Sequence, residues 1–80
     1  MRIENNLEVV VAGEYAVVTQ MNGGSSFTLE ISIGDSPFIP IDNGIFTSDA
    51  TNVIKVPDCR IQGVSVGGAF SDVNLISQGS

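Results

Sequence analysis

The sequence predicts an all-β fold, a small antiparallel β-sandwich or jelly-roll-like barrel of about seven to eight short strands. Three observations carry that expectation: residues alternating between apolar and polar, turn residues recurring roughly every ten positions, and no segment with the period of an amphipathic helix. The clearest alternation is Phe27, Leu29, Ile31 and Ile33 with Thr28, Glu30 and Ser32 between them, the spacing of a strand with one buried and one wet face. Asn22-Gly23-Gly24 precedes it. Gly and Asn reach φ > 0 at low cost, so the run from Tyr15 to Met21 is expected to fold back, making Tyr15 to Ile33 one β-hairpin.

Along the chain, Met1 to Asn6 is polar and is read as an arm or the frayed start of a strand. Leu7 to Ala12 follows as a strand, and its continuous β-branched run Val9-Val10-Val11 suits one covered on both faces. Gly13-Glu14 fits a tight hairpin link to Tyr15, which makes the first three strands a meander. Gly34-Asp35-Ser36-Pro37 is a turn. Pro37 and Pro40 remove ladder donors, so Phe38-Ile39-Pro40-Ile41 is an edge strand or an extended connector. Asp42-Asn43-Gly44 turns the chain into Ile45-Phe46-Thr47, and Ser48 to Thr51 is the one place where a single helical turn is credible, capped by Ser48. Asn52 to Val56 is a strand ended by Pro57-Asp58. In the next strand, Arg60 to Val66, the parity of Ile61 disagrees with that of Val64 and Val66, and a β-bulge at Gly63 would reconcile them. Gly67-Gly68 reverses the chain, Ser71 to Ser77 closes the domain, and residues 78–80 are a loose tail. The segments between turns share no repeat, which argues against a solenoid or propeller.

Eighty residues make one domain, residues 1–80, that buries only ~60–65% of the surface its unfolded chain exposes. Such a core needs reinforcement. The single cysteine, Cys59, rules out an internal disulfide, and a chain with no His is poorly equipped to hold structural zinc. Partner subunits remain, and a composition 42% hydrophobic with mean hydropathy +0.29 agrees with self-association. Nine acids against Arg2, Lys55 and Arg60 give a net charge of −6, which disfavours nucleic-acid binding, since affinity for a polyanion comes mainly from Lys and Arg. The acids are spaced singly rather than in the dense runs of a nucleic-acid mimic. Arg2 leads into Ile-Glu-Asn-Asn rather than a long apolar core, so no signal peptide is read, and Val9 to Ala12 is too short to span a bilayer. A cytoplasmic origin without membrane contact is expected.

For catalysis, the absence of His removes the commonest general base and any Ser–His or Cys–His nucleophile. A carboxylate pair acting on a glycoside would need a sugar-stacking cleft, and the chain has no Trp and one Tyr, Tyr15. No enzyme activity, cofactor or metal is expected. Asp35, Asp42 and Asp49 lack calcium-loop spacing, and Asp42-Asn43-Gly44 is an ordinary turn. Cys59 beside Arg60 could have its pKa lowered by the cation, although a lone Cys among strands more commonly serves as a small buried hydrophobe. Phe38, Ile39, Ile41, Ile45 and Phe46 form the densest apolar cluster. It either plugs one end of the sandwich or, as an edge guarded by prolines, forms an oligomer interface.

The half from Phe38 to Gly68 resembles small structural proteins of tailed bacteriophages. The similarity lies in Phe38-Ile39-Pro40-Ile41, Asn43-Gly44-Ile45-Phe46-Thr47, the run from Val53 to Ile61, and Val64-Ser65-Val66. The resemblance implies a capsid decoration, head-fibre or tail component: a non-enzymatic homo-oligomer, by analogy a trimer, located in the virion, made in the host cytoplasm and in contact with other virion proteins. Two other readings remain from the residues: a small acidic phage-encoded inhibitor or binding module that meets a host protein, and a carbohydrate-binding module, which the absence of Trp disfavours.

Overall fold

Alternating apolar residues draw one face of an extended segment out of water, and six strands form in this way among the described residues, 1–21, 26–67 and 72–78 of the computed structural model. They are β1 (Arg2–Ile3), β2 (Val9–Gln20), β3 (Ser26–Ser32), β4 (Ile39–Phe46), β5 (Ala50–Val66) and β6 (Asp72–Ser77). All belong to one antiparallel sheet in the order β1-β6-β2-β5-β3-β4, curled into a half-barrel, rather than to the two layers of a sandwich. The described residues contain no helix. Residues 47–49 form a bend instead of the expected helical turn, and the Asp49 carboxylate accepts a hydrogen bond from the Met21 N–H at 2.8 Å.

The expected hairpin from Tyr15 to Ile33 is not formed, because β5 lies between β2 and β3 and pairs with both. Its turn, Asn22-Gly23-Gly24, lies outside the described residues, as do Gly68 and Ser71. The meander fails for the same reason. Gly13-Glu14 is no turn but part of the 12-residue β2, and Pro57-Asp58 ends no strand but lies within the 17-residue β5. These two interruptions face each other. Val11 pairs with Cys59 and Gly13 with Val56, so β5 carries one residue more than β2 between those pairs. Such a bulge bends β5 and deepens its twist, and on the facing strand Gly13 takes a φ of 110°, a backbone conformation that glycine adopts without a side-chain clash. Residues that read as chain breaks therefore make a corner in one long strand pair.

The bulge expected at Gly63 is absent, since Leu29 faces Gly63 in an unbroken ladder. Ile61 and Gly63 point inward, and Val64 and Val66 point outward. Gly63 keeps an inward place without an apolar side chain because the Phe27 ring and Ile3 fill the space above it. Phe27 and Leu29 are fully buried as the alternation predicts, Ile31 is half-buried, and Ile33 lies beyond the strand and is exposed.

The concave side holds the core: Val17 from β2, Phe27 and Leu29 from β3, Phe46 from β4, Ile54 and Ile61 from β5, and Val73 and Leu75 from β6. Each large aliphatic or aromatic side chain so buried contributes roughly 1.5–3 kcal/mol. Phe27 and Phe46, directly opposite in the β3–β4 ladder, hold their rings 6.1 Å apart. The N-terminal stretch is not a loose arm. Ile3 is fully buried, Leu75 N–H donates to the Met1 carbonyl at 2.7 Å, and Asn6 N–H donates to the Gly63 carbonyl at 2.9 Å. The stretch thus crosses the concave side from β6 to β5 and closes it with one isoleucine. At the other end Gln78 N–H donates to the Glu14 carbonyl at 2.8 Å, and residues 79–80 lie outside the described set.

Candidate functional site

The apolar cluster read as an interface is distributed over several places. Phe46 belongs to the core. Phe38 lies half-buried beneath the Arg60 guanidinium, 5.6 Å from its ring centroid. Ile41 packs against the core where β4 departs from β3: Thr28 pairs with Ile45 and Glu30 with Pro40, so Ile41 to Gly44 bulge out opposite Leu29 alone. Ile39 and Ile45 are both exposed, but on opposite faces of β4, since Ile39 pairs with Ile31 of the concave side and Ile45 with Thr28 of the convex side. β4 is an edge strand, one of the two outcomes that Pro40 and the preceding Pro37 allow.

Arg60 gathers three partners. Its guanidinium donates to Glu8 Oε1 at 2.9 Å and to Ser32 Oγ at 3.0 Å while covering Phe38. Ser32 Oγ donates to the Ser36 carbonyl at 2.6 Å, and the Ile33 N–H donates to Ser36 Oγ at 3.0 Å. This set fastens the β3–β4 connection to β5, and it accounts for the burial of Ser32 on the face that the alternation assigns to water. Arg60 faces away from Cys59, as successive strand residues must. The Cys59 thiol is accordingly pushed up from its ordinary pKa, by burial first and then by the Asp58 carboxylate, the reverse of an activated thiol. Among the described residues no three Asp, Glu or Cys side chains gather in a way that could hold a metal ion.

A groove of about 190 Å³ lies where the β4 bulge approaches the first half of β5. It is lined by Ile31, Ile41, Ile54 and Val56, with Asp42 and Lys55 supplying charge. The β5–β3 ladder begins only at Arg60, so before that point β5 is paired along its β2 edge alone. The Asn52 side-chain amide bridges the gap to the Asn43 carbonyl at 3.2 Å. Pockets for drug-sized ligands run about 300–1,000 Å³, which makes this groove small for one.

The broadest chemical feature is the convex face. Register sets Ile76, Ala16 and Val53 side by side across β6, β2 and β5, with Val18 two residues along β2 beside Asn74 and Thr51. Val53 is 52% exposed, Ile76 50% and Val18 38%, and Val10, further along β2, is 80% exposed. The run Val9-Val10-Val11, expected to be covered on both faces, is covered on one. At the next row Glu14 faces Lys55, both exposed. Arg2 pairs with Asp72 at 2.8 Å and Arg60 with Glu8 at 2.9 Å, whereas Lys55 makes no ion pair among the described residues. The alternation of β2 and β5 held this face in plain view, but with the strands misplaced its rows could not be assembled.

No protein-family model matches the chain, and neither the search of curated proteins nor that of solved structures found a match.

Proposed function

We propose that this chain is a non-enzymatic structural subunit that works by assembling, of the kind the resemblance to small structural proteins of tailed bacteriophages implies, with the virion as its place and the host cytoplasm as its origin. The observation that carries this reading is the aliphatic row Ile76, Ala16 and Val53 on the convex sheet face, with Ile76 and Val53 exposed and Ala16 half-buried between them. Two β-branched side chains, Ile76 and Val53, flank the small Ala16 across three strands and form a close-packing apolar surface, and leaving it in water forfeits the burial that a small domain needs most. The acidic surface keeps such a subunit soluble before it assembles.

Static light scattering combined with thermal melts over a range of protein concentrations tests the reading. Assembly stabilises the native state by mass action, so the melting temperature rises with concentration and the scattering mass exceeds 8.4 kDa. A particle of monomer mass with a concentration-independent melt would overturn it.

A further inference from the structure

We infer that the convex face of β2 and β5 packs against the same face of a second copy, about a twofold axis that runs parallel to the strands between β2 and β5. The inference rests on the assembly reading and specifies its surface. Two faces related by a twofold lying between them exchange positions across that axis. The cross-strand pairs Glu14 with Lys55, Ala16 with Val53 and Val18 with Thr51 lie on either side of this line. Each Lys55 therefore meets Glu14 of the partner subunit, each Val53 meets Ala16 of the partner subunit, and the unpaired cation of each copy gains a carboxylate. An axis across the strands through the Glu14–Lys55 row would set Glu14 against the partner's Glu14 and Lys55 against the partner's Lys55. One through the Ala16–Val53 row would leave Glu14 over the partner's Val18 and Lys55 over the partner's Thr51, so of these the strand-parallel axis alone gives each charge its opposite. Ile76, one strand outside β2, falls over the strip just beyond the partner's β5, along the free edge where the groove lies. The broad dimensions of the molecule, 31 and 28 Å against 19 Å in the third direction, set the upper bound of that face near the area that a stable dimer uses, about 800 Å² a side. The second layer of the sandwich that the sequence calls for then comes from another chain, and Val53, Val18 and Ile76 gain the cover that the single sheet lacks. Analogy with fibre and decoration proteins gives a trimer; the charges on this face close with a twofold.

Sedimentation equilibrium across a dilution series of the full chain tests this. The wild type is expected at twice 8.4 kDa. Lys55→Glu weakens association by about tenfold or more, while the double reversal Glu14→Lys with Lys55→Glu restores it, since the charges exchange places. Val53→Thr combined with Ile76→Thr keeps β-branched shape and strand propensity, and yields folded monomer by far-UV circular dichroism even if a charge reversal fails to fold. Wild-type association that all these variants leave unchanged overturns the face and leaves the assembly reading standing. A wild type that is monomeric at about 1 mM overturns both.

Discussion

The Phe27 ring lies over Gly63 so closely that a β-carbon there would stand 2.6 Å from Cε1 and 2.8 Å from Cζ, with Ile3 Cγ2 at 2.9 Å. A glycine in mid-strand normally weakens a sheet, yet here it makes room for an aromatic side chain from β3 and for the isoleucine that closes the concave side. Gly63→Ala pushes against both, and neither can withdraw without opening the core. The expected loss is about 1–3 kcal/mol, the range for overpacking, read as a lower midpoint in urea with an unchanged slope. A stability equal to wild type would mean that the ring moves freely.

The two faces of β3 should respond differently. Leu29 is fully buried and Thr28 is half-buried on the convex side. Leu29→Ala removes the buried isopropyl group and leaves a cavity, at a cost of roughly 2–5 kcal/mol, and Thr28→Ala should cost well under half of that. Equal losses in chemical denaturation would contradict the face assignment.

Arg60 acts through shape as well as charge. Replacing it with Lys keeps the positive charge but loses the planar fork that reaches Glu8 and Ser32 together while stacking on Phe38. Because the groups are partly exposed, the ion pair itself is worth little, and Arg60→Ala is expected to cost about 1–2 kcal/mol in total. Arg60→Lys should recover less than half. Full recovery by Lys in thermal or urea unfolding would reduce the interaction to simple charge.

Cys59 titrates as a suppressed thiol. Its folded pKa is raised above the ordinary value of 9.0, so above that value the unfolded chain releases a proton that the folded chain retains. The group's contribution is complete below the ordinary thiol pKa and is lost as pH rises through the folded value. Stability should therefore decline above about pH 9 through this group, and Cys59→Ala should lessen the decline. A disulfide-exchange reagent at neutral pH should label the native thiol far more slowly than the unfolded one. Equal rates would show the thiol to be open to solvent.

Strand character was legible along most of the chain, and facing was legible where apolar and polar residues alternate, because both depend on neighbours only two residues apart, as Phe27 and Leu29 on β3 illustrate. Pairing was less legible. Turn residues show where a chain can bend, and at Gly13 and at Pro57-Asp58 it does bend, but composition does not distinguish a reversal from a bulged corner inside one strand. The residues of the candidate interface are dispersed for a related reason. Phe38 to Phe46 is contiguous in sequence, whereas a bulge and the alternation of β4 send its apolar residues to the core, to Arg60 and to both faces of an edge.

The sequence by itself determined an all-β chain, the inward residues of β3, an edge strand marked by Pro40, and a core too small to be generous. Only the tertiary structure decided that β5 separates β2 from β3, that Ile3 closes the concave side, and that Ile76, Ala16 and Val53 lie in one row on the convex face. The physical reason is range. Periodicity and turn propensity act over a few residues, whereas the choice of ladder partner is made by burial shared among segments dozens of residues apart, such as the Phe27 ring, the space above Gly63 and Ile3.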